Sequence, residues 1–411
     1  MLPYFFFLVK TFLVKTQRTE SRRLASVYSG NPGFGERVRH DRGRFPWKRP
    51  PHAKLPRAKL PPANLPRAPR PFELLALAVL AAITIGVTVN AQADDHTDGL
   101  KKFQETQVHM GSKFTIVVYA PSAEDAEKGM KAAFQRIHEL DLLLSDYLDE
   151  SEVSRLSRAS PTKEPIAVSD ALWPVLLLAE QYSEASDGTF DITVGPLTTL
   201  WRRSRRSKQL PDTETLTRAR NSVDHRALTL DLAKHTAMLT LPGMRLDLGG
   251  IGQGYAADVA LETLKQHHLP RALVNASGDI IAGEPPPDES GWKIAFPSLG
   301  SDGQSTQDEI RLAHRAISTS GDAFQFVEIA GVRYSHIVDK RTGLGTTEPR
   351  TATVLADTCV LADAMATACC VLDTQAAMNL ADRMRFEVQL IRSTANGPRL
   401  ERTPNWHREK K

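Results

Sequence analysis

Cysteine is scarce in this 411-residue sequence, and its scarcity argues against two kinds of structural site. The three cysteines, Cys359, Cys369 and Cys370, all lie late in the chain. An odd number without the spacing of metal ligands argues against a disulfide framework and against a cysteine metal site. Cys369 and Cys370 are neighbours in an apolar stretch, so we expect small buried side chains there.

A surplus of positive charge is also missing from most of the chain. The formal net charge is +4, and much of the basic excess lies in the first 70 residues, which carry many Lys and Arg and few acids. The remainder carries a modest acidic surplus, which gives no indication of nucleic-acid binding. With 41% hydrophobic residues, the chain should bury a globular core in one large or two ordinary domains.

The end of the N-terminal block lacks the apolar content that a folded segment needs. The stretch 45–72 is rich in Pro, Arg and Lys, a composition that buries too little apolar surface to fold. We therefore predict that 1–70 is a basic, Pro-rich disordered segment. A signal-like stretch follows it, so we interpret 1–70 as sequence upstream of the true translation start.

The segment 71–93 has the features of a secretory signal peptide. A hydrophobic run at 74–89 follows a basic flank and precedes Ala91-Gln92-Ala93. The run is a little short for a membrane span, and an uncleaved N-terminal anchor is the alternative. No cysteine follows that could accept a lipid. We predict an exported protein, periplasmic or membrane-associated and facing the periplasm, whose folded domain begins near Asp94.

Apolar periodicity divides the predicted domain, 94–400, into strands and helices. Helices are expected at 122–145, capped by Ser122, at 169–188 and from about Leu361. Strands are expected at 114–120, 272–276, 292–296 and 351–356, with strand pairs within 227–241 and 324–338. This mixed order predicts an α+β fold of mixed sheets with packed helices, followed by a charged tail at 401–411.

The stretch RLDLGGIGQGYAADVALETLKQHHLP (245–270) places four glycines between a carboxylate and a helical run. A dinucleotide-binding turn would need G-x-G-x-x-G and an acid about 20 residues later, whereas Asp258 lies inside the expected helix. A Walker loop would need Lys-Ser/Thr after the last glycine. A phosphate on bare backbone at a helix N-terminus and a purely structural tight turn both remain open.

Three further stretches carry side chains suited to a site. In SDGTFDITVGPLTTLW (186–201) two aspartates flank Gly188 and Phe190, and YSHIVDKRTG (334–343) places a histidine and an aspartate at a strand end. In LADAMATACCVL (361–372), Asp363 and Thr367 lie one helical turn apart on one face. Such a pair can reach one Mg²⁺, which prefers oxygen ligands with phosphate completing the shell. Taken alone, each stretch is also explained by helix capping, a turn or a threonine bonded to its own helix.

Together these stretches resemble a single family. In chain order they are MGSKFTI, LSDYLDESEVSRLSR, SDGTFDITVGPLTTLW, LDLGGIGQGYAAD, ALVNASGDIIAG, AISTSGD, RYSHIVDKRTG and ADAMATACCVL. They resemble the ApbE-type flavin transferases, which are FAD:protein FMN transferases, from about Gln107 to Asp373. The resemblance implies the family's α+β, T-fold-like architecture for nearly all of 94–400.

The resemblance also implies a role for each matching residue. FAD would contact Met110, Tyr147, Thr189, Phe190, Asp191, Asp247, Gln253 and Ile337. Mg²⁺ would be held by the side chains of Asp363 and Thr367 and by the carbonyl of Gly250. The catalytic segment would contain His336, as the base, and Asp339.

The implied reaction is Mg²⁺-dependent transfer of FMN from FAD to a threonine hydroxyl, with release of AMP. The acceptor would be a flavin-carrying subunit of a respiratory complex or a related exported electron-transfer protein. Attack by water would instead make the chain an FAD pyrophosphatase that gives FMN and AMP. A non-catalytic exported FAD-binding protein is the other alternative, because binding needs the glycines and Phe190 but not His336, Asp363 or Thr367.

The sequence departs from the family pattern at four positions. Gln253 stands where many relatives have lysine, Ser277 where glycine is usual, and Lys340 where a proline follows the aspartate. Ala366 lacks a carboxylate that some relatives supply near the metal. None of these changes removes the expected base or the two side-chain metal ligands. The basic run at 200–211, LWRRSRRSKQLP, is predicted to be a solvated loop, with docking to an acidic partner as the alternative.

Overall fold

The computed structural model describes residues 99–300, 303–322, 325–394 and 397–407. The predicted disordered segment 1–70, the signal or anchor segment 71–93 and the domain start near Asp94 lie outside these residues. Within the described ranges, no helix combines the length and the apolar character needed to cross a membrane.

The described residues form helices and strands that we number in chain order. The helices are α1 Ala123–Leu144, α2 Glu152–Arg158, α3 Trp173–Ala185, α4 Gly195–Ser207, α5 Thr213–Arg220, α6 Gly252–Gln266, α7 Cys359–Cys369 and α8 Thr374–Met384. The strands are β1 Lys101–His109, β2 Ser112–Ala120, β3 Ile166–Ala167, β4 Leu228–Asp231, β5 Thr236–Leu239, β6 Ala272–Ala276, β7 Asp279–Ala282, β8 Trp292–Leu299, β9 Ser305–Leu312, β10 Ala316–Gly321, β11 Phe326–Ile329, β12 Val332–Ser335, β13 Val338–Asp339, β14 Leu344–Gly345, β15 Arg350–Ala356, β16 Glu387–Thr394 and β17 Gly397–Arg402.

An eight-stranded antiparallel sheet organises the fold, in the order β1-β2-β6-β7-β10-β15-β16-β17. Its register aligns Ile116 with Val274 and Val274 with Ile281, which places these buried side chains in one row. Helix α6 packs against β6, β7, α1 and α7 on the helical side. The opposite face meets Trp292, from the separate β8–β9 hairpin. This arrangement confirms the α+β class.

Helix α1 and the cysteines follow the sequence predictions. The Ser122 hydroxyl accepts a hydrogen bond from the backbone N–H of Asp125 at 3.1 Å, which caps α1 as predicted. All three cysteines are buried and free, so the prediction of small apolar side chains is confirmed. Burial raises the pKa of each thiol, which keeps it protonated and unreactive.

Three element boundaries differ from the sequence predictions for local physical reasons. The helix expected at 169–188 spans only Trp173–Ala185, since Ser169 accepts from the Leu172 N–H in a preceding turn and Asp187 has a positive φ of 52°. Residues 200–207 of the basic run lie in helix α4 rather than in a loop, and 208–211 follow the helix. Strand β17 crosses the boundary placed at residue 400, and Trp406 packs its ring 5.8 Å from Phe296.

Candidate active site

The glycine-rich stretch ends where helices α6 and α7 come into contact. The backbone N–H of Gly254 donates to Oδ2 of Asp363 at 3.1 Å. A Cβ on Gly254 would lie 2.5 Å from the carbonyl oxygen of Cys359 and 2.8 Å from Cβ of Asp363. Glycine at this position therefore allows the two helices to approach and lets the backbone bind the carboxylate directly.

The three expected metal ligands lie at this contact. A Cβ on Gly250 would be 3.3 Å from Oγ1 of Thr367, so the backbone of Gly250 lies against that hydroxyl. Asp363 is one helical turn before Thr367 on α7. We call Gly250, Gly254, Asp363 and Thr367 the helix junction.

The electrostatics of the helix junction suit a bound cation. Burial raises the pKa of Asp363 well above its ordinary range, and the nearby carboxylate of Asp279 raises it further. Burial also raises the pKa of Asp279 to about 6, although its bond from the Ser318 hydroxyl acts in the opposite direction. Within the described ranges, no group of three or more His, Cys, Asp or Glu side chains is placed to hold a metal ion. The expected donors are instead a carboxylate, a hydroxyl and a backbone carbonyl, a set that would fit Mg²⁺ completed by phosphate.

Asp258, which sequence reasoning treated only as a helix residue, joins the two helices at a second point. Its carboxylate accepts from the backbone N–H groups of Cys359 at 2.8 Å and Val360 at 2.9 Å. These bonds satisfy the first turn of α7, whose N-cap residue Thr358 makes no side-chain cap. Burial raises the pKa of Asp258 to about 7, against the effect of those bonds. Helix periodicity places Asp258 one turn after Gly254, but only the fold shows what it caps.

Asp247 anchors the start of the glycine-rich turn. Its Oδ1 accepts from the Gly249 N–H at 2.8 Å, and its Oδ2 accepts from Thr198 Oγ1 at 2.6 Å. Arg202 donates to the same Oδ2 at 2.8 Å and to Asp146 at 2.5 Å. Helix α4 is thus attached to the turn that leads into α6.

Two further residues expected at FAD, Tyr147 and Gln253, have separate partners near this turn. The Tyr147 side chain is exposed and stacks beneath Arg202, with 4.3 Å between the guanidinium carbon and the ring centroid. Gln253 donates to the Ser112 hydroxyl at 2.9 Å, which ties the start of α6 to β2. Between β1 and β2, Met110 has a positive φ of 50°, and its N–H donates to Asp141 at 2.8 Å.

The segment Thr189–Asp191, which is expected to contact FAD, is fixed by contacts with other residues of the protein. Phe190 is buried in the main core, with its ring edge-on to Tyr182. The buried carboxylate of Asp191 accepts from Thr193 at 2.6 Å and from Lys340 Nζ at 3.0 Å. Lys340 therefore ties this segment to the loop after His336.

His336 is half-buried between β12 and β13. Its Nδ1 lies 3.1 Å from the carbonyl oxygen of Gln325. A carbonyl can only accept, so Nδ1 carries the hydrogen and Nε2 keeps its lone pair in the neutral ring. Burial lowers the pKa of His336, the bond to Gln325 raises it, Arg205 lowers it and Asp322 raises it. The net lowering leaves Nε2 unprotonated near neutral pH, as a proton acceptor requires.

The end of β10 connects His336 with the helix junction. The Ser320 hydroxyl lies 3.3 Å from Oγ1 of Thr367. Two residues later, the buried Asp322 carboxylate influences His336 electrostatically and pairs with Arg333. One strand end thus approaches both the expected metal ligands and the expected base.

Asp339 and Ile337 have internal roles in the same loop. Asp339 is buried and accepts from the backbone and guanidinium of Arg341, both at 2.8 Å. Ile337 is also buried, and its carbonyl accepts from the Thr346 N–H at 3.0 Å. These contacts make Asp339 a residue that shapes the loop, and its expected catalytic part stays a prediction.

Comparison with known proteins identifies similar chains. Residues 110–391 match the model of the ApbE family. The chain is 30% identical over 302 residues to an FAD:protein FMN transferase of Vibrio cholerae, covering 71% of this chain and 89% of that relative. It is 29% identical over 289 residues to one of Treponema pallidum, covering 66% and 79%. The solved structure of flavin transferase ApbE from Vibrio cholerae is similar, with a TM-score of 0.68 and 28% identity, covering 75% of this chain and 98% of that one.

Proposed function

This chain belongs to the ApbE family, and we propose that it transfers FMN from FAD to an acceptor protein and releases AMP. The helix junction carries the proposal, because the Gly254 N–H meets the buried Asp363 carboxylate where the Gly250 backbone meets Thr367. Between these two glycines, an added Cβ on Gly252 would meet nothing within 4 Å, and this open backbone at the start of α6 leaves room for a pyrophosphate. A bond forms between the acceptor oxygen and the FMN phosphorus, the pyrophosphate P–O bond breaks, and AMP leaves.

We assign the acceptor atom to a threonine hydroxyl and the proton acceptor to Nε2 of His336. The bond to Gln325 fixes the ring through Nδ1, and the lowered pKa keeps Nε2 free. The hydroxyl proton passes to Nε2 as the new P–O bond forms. His336 directly follows β12. The Lys340–Asp191 pair fixes the loop after His336 and so helps to hold the base in position.

We assign Mg²⁺ to Asp363, Thr367 and the Gly250 carbonyl. Burial and the nearby Asp279 carboxylate raise the pKa of Asp363, and a divalent cation beside Asp363 would offset both effects. When bound, the cation supplies neutralisation of pyrophosphate charge. Asp258 and Gly254 support this assignment, because they hold α7 in the position that aims Asp363 at the glycine turn.

The transfer is tested with the full chain, FAD, Mg²⁺ and a threonine-bearing domain of a flavin-carrying respiratory subunit, following AMP release and acceptor mass together. We expect AMP with an FMN-sized mass gain, lost on chelation. AMP with an unmodified acceptor would replace the proposal with pyrophosphatase action. Absence of AMP, with FAD still bound, would leave a flavin-binding protein.

We also propose export, with the product periplasmic or attached to the membrane facing the periplasm. The support is the hydrophobic run and Ala91-Gln92-Ala93 of the sequence. Fractionation of cells that produce a C-terminally tagged full chain should place it outside the cytoplasm. Mass measurement of the recovered chain distinguishes a cleaved signal, with a start near Asp94, from an uncleaved anchor. Recovery only from the cytoplasm would contradict export.

A further inference from the structure

Helix α4 carries four arginines within two turns: Arg202, Arg203, Arg205 and Arg206. At 3.6 residues per turn, the order around the helix is Arg205, Arg202, Arg206, Arg203. These side chains therefore form a continuous band around almost half of the helix. Trp201, Leu197 and Ser204 occupy the buried side of the same helix.

Arg202 is the member of the band that binds other side chains of the protein. It pairs with Asp146 and Asp247 and stacks on Tyr147. For Arg203, Arg205 and Arg206, the described part of the chain provides no acidic side chain within ion-pair distance. We call these three residues the basic arc. Arg203 and Arg206 are exposed, whereas Arg205 is half-buried.

The basic arc begins beside the proposed base and leads outward. Trp201 donates to the carbonyl of Ser335 at 2.9 Å, one residue before His336, and its ring packs on Tyr334 at 5.5 Å. The charge of Arg205 is felt at His336. Helix α4 is therefore attached to the loop that carries His336, and an acceptor that brings a hydroxyl to His336 would come close to α4.

Like charges so close together repel one another, and no acidic side chain within the described residues forms an ion pair with the basic arc. An acidic partner would relieve this repulsion and would also be steered toward the site by the positive potential. The nucleotide is a poorer candidate for Arg203 and Arg206, because the residues expected at FAD in this region, Tyr147 and Asp247, contact Arg202 instead.

We propose that Arg203, Arg205 and Arg206 dock an acidic segment of the acceptor protein next to its modified threonine. The inference rests on the proposed transfer of FMN and names the chemistry of the acceptor surface. Aspartate or glutamate side chains flanking the threonine would pair with the exposed guanidinium groups, while the hydroxyl approaches Nε2 of His336.

The test compares the double variant R203E/R206E with a matched control, K128E/K131E. Lys128 and Lys131 are also exposed and three residues apart, but they lie on α1, which packs on β1, β2, α2 and α6. With the threonine-bearing acceptor domain as probe, R203E/R206E should raise the acceptor KM at least tenfold. The FAD KM and the folded circular dichroism spectrum should stay unchanged, and K128E/K131E should behave as wild type.

A second probe is the same acceptor domain with the acids flanking its threonine replaced by their amides. This probe should raise the acceptor KM of the wild type. It should raise the acceptor KM of R203E/R206E little further, because both changes remove the same interaction. An unchanged acceptor KM in R203E/R206E, or an equal rise in the FAD KM, would overturn the acidic docking. If wild type released AMP but modified no acceptor, the failure would lie in the proposed transfer and would overturn the inference with it.

Discussion

The helix junction and the basic arc both place ionisable side chains near one site, but the junction buries them and the arc exposes them. At the junction, Asp363 is buried, bonded by the Gly254 N–H and close to a second carboxylate, Asp279. On α4, Arg203 and Arg206 are exposed and have no acidic partner in the described ranges. Buried charge requires fixed geometry, whereas exposed charge can meet partners of different shape. The junction therefore suits an invariant substrate, FAD, and the arc suits a protein surface.

Removal of the buried carboxylate should have the largest effect on activity. Asp363→Asn keeps the shape of the side chain but removes the charge from the expected metal ligand set. We expect AMP release to fall about a thousandfold, which corresponds to several kcal/mol of transition-state stabilisation. The exposed Asp382→Asn is the matched control and should retain wild-type activity. Equal rates of AMP release for the two variants would show that Asp363 is not needed for the reaction.

A methyl group at the helix junction should have the largest effect on stability. Gly254→Ala would place Cβ 2.5 Å from the Cys359 carbonyl oxygen. We expect the free energy of unfolding to fall by about 3 kcal/mol, because two packed backbones must separate. Gly252→Ala is the control two residues earlier, where an added Cβ meets nothing within 4 Å. Urea denaturation of both variants measures the difference, and similar midpoints would show that the helices tolerate separation.

Lys340 tests whether burial decides how much an ion pair contributes to the free energy of unfolding. Its partner Asp191 has 1% side-chain exposure, so Lys340→Met should leave a buried carboxylate unpaired and cost about 2 kcal/mol of unfolding free energy. Lys293→Met removes one member of a pair exposed at 61% and 56%, and should cost less than about 1 kcal/mol. Denaturation of the two variants side by side checks this order, which comparable losses would contradict.

Asp258, which joins α6 to α7 beside the helix junction, should make the stability of the protein depend on pH. Its pKa is about 7 in the folded protein, above the ordinary value of 3.8, so the native state binds this proton more tightly than the unfolded chain. Its contribution to stability is therefore complete at low pH and is lost as the pH rises through about 7. Asp258→Asn cannot titrate and gives up about 1 kcal/mol from one cap bond.

The measurement is urea denaturation of wild type and Asp258→Asn at pH 5 and pH 8. Between these values, wild type should lose more stability than the variant does, in the absence of added metal. A constant difference between the two proteins across this range would mean that Asp258 does not titrate there.

Much of the site could be predicted from local pattern. The spacing of Asp363 and Thr367 predicted one helix face, and the structure places both on α7. Ser122 was predicted as a cap because its neighbours define a helix start, and the bond to Asp125 confirms it. The basic run was expected to be a loop, since its charge concealed the buried face formed by Leu197, Trp201 and Ser204.

The sequence by itself determined the family, the α+β class, and the residue types available for catalysis. These follow from ordered motifs and from periodicity, which act over a few residues. Only the tertiary structure decided which partners these residues have: Asp258 on the first turn of α7, Lys340 on Asp191, and Arg202 between two aspartates. The physical reason is that burial and charge pairing join residues distant along the chain, and their energies depend on distance in space.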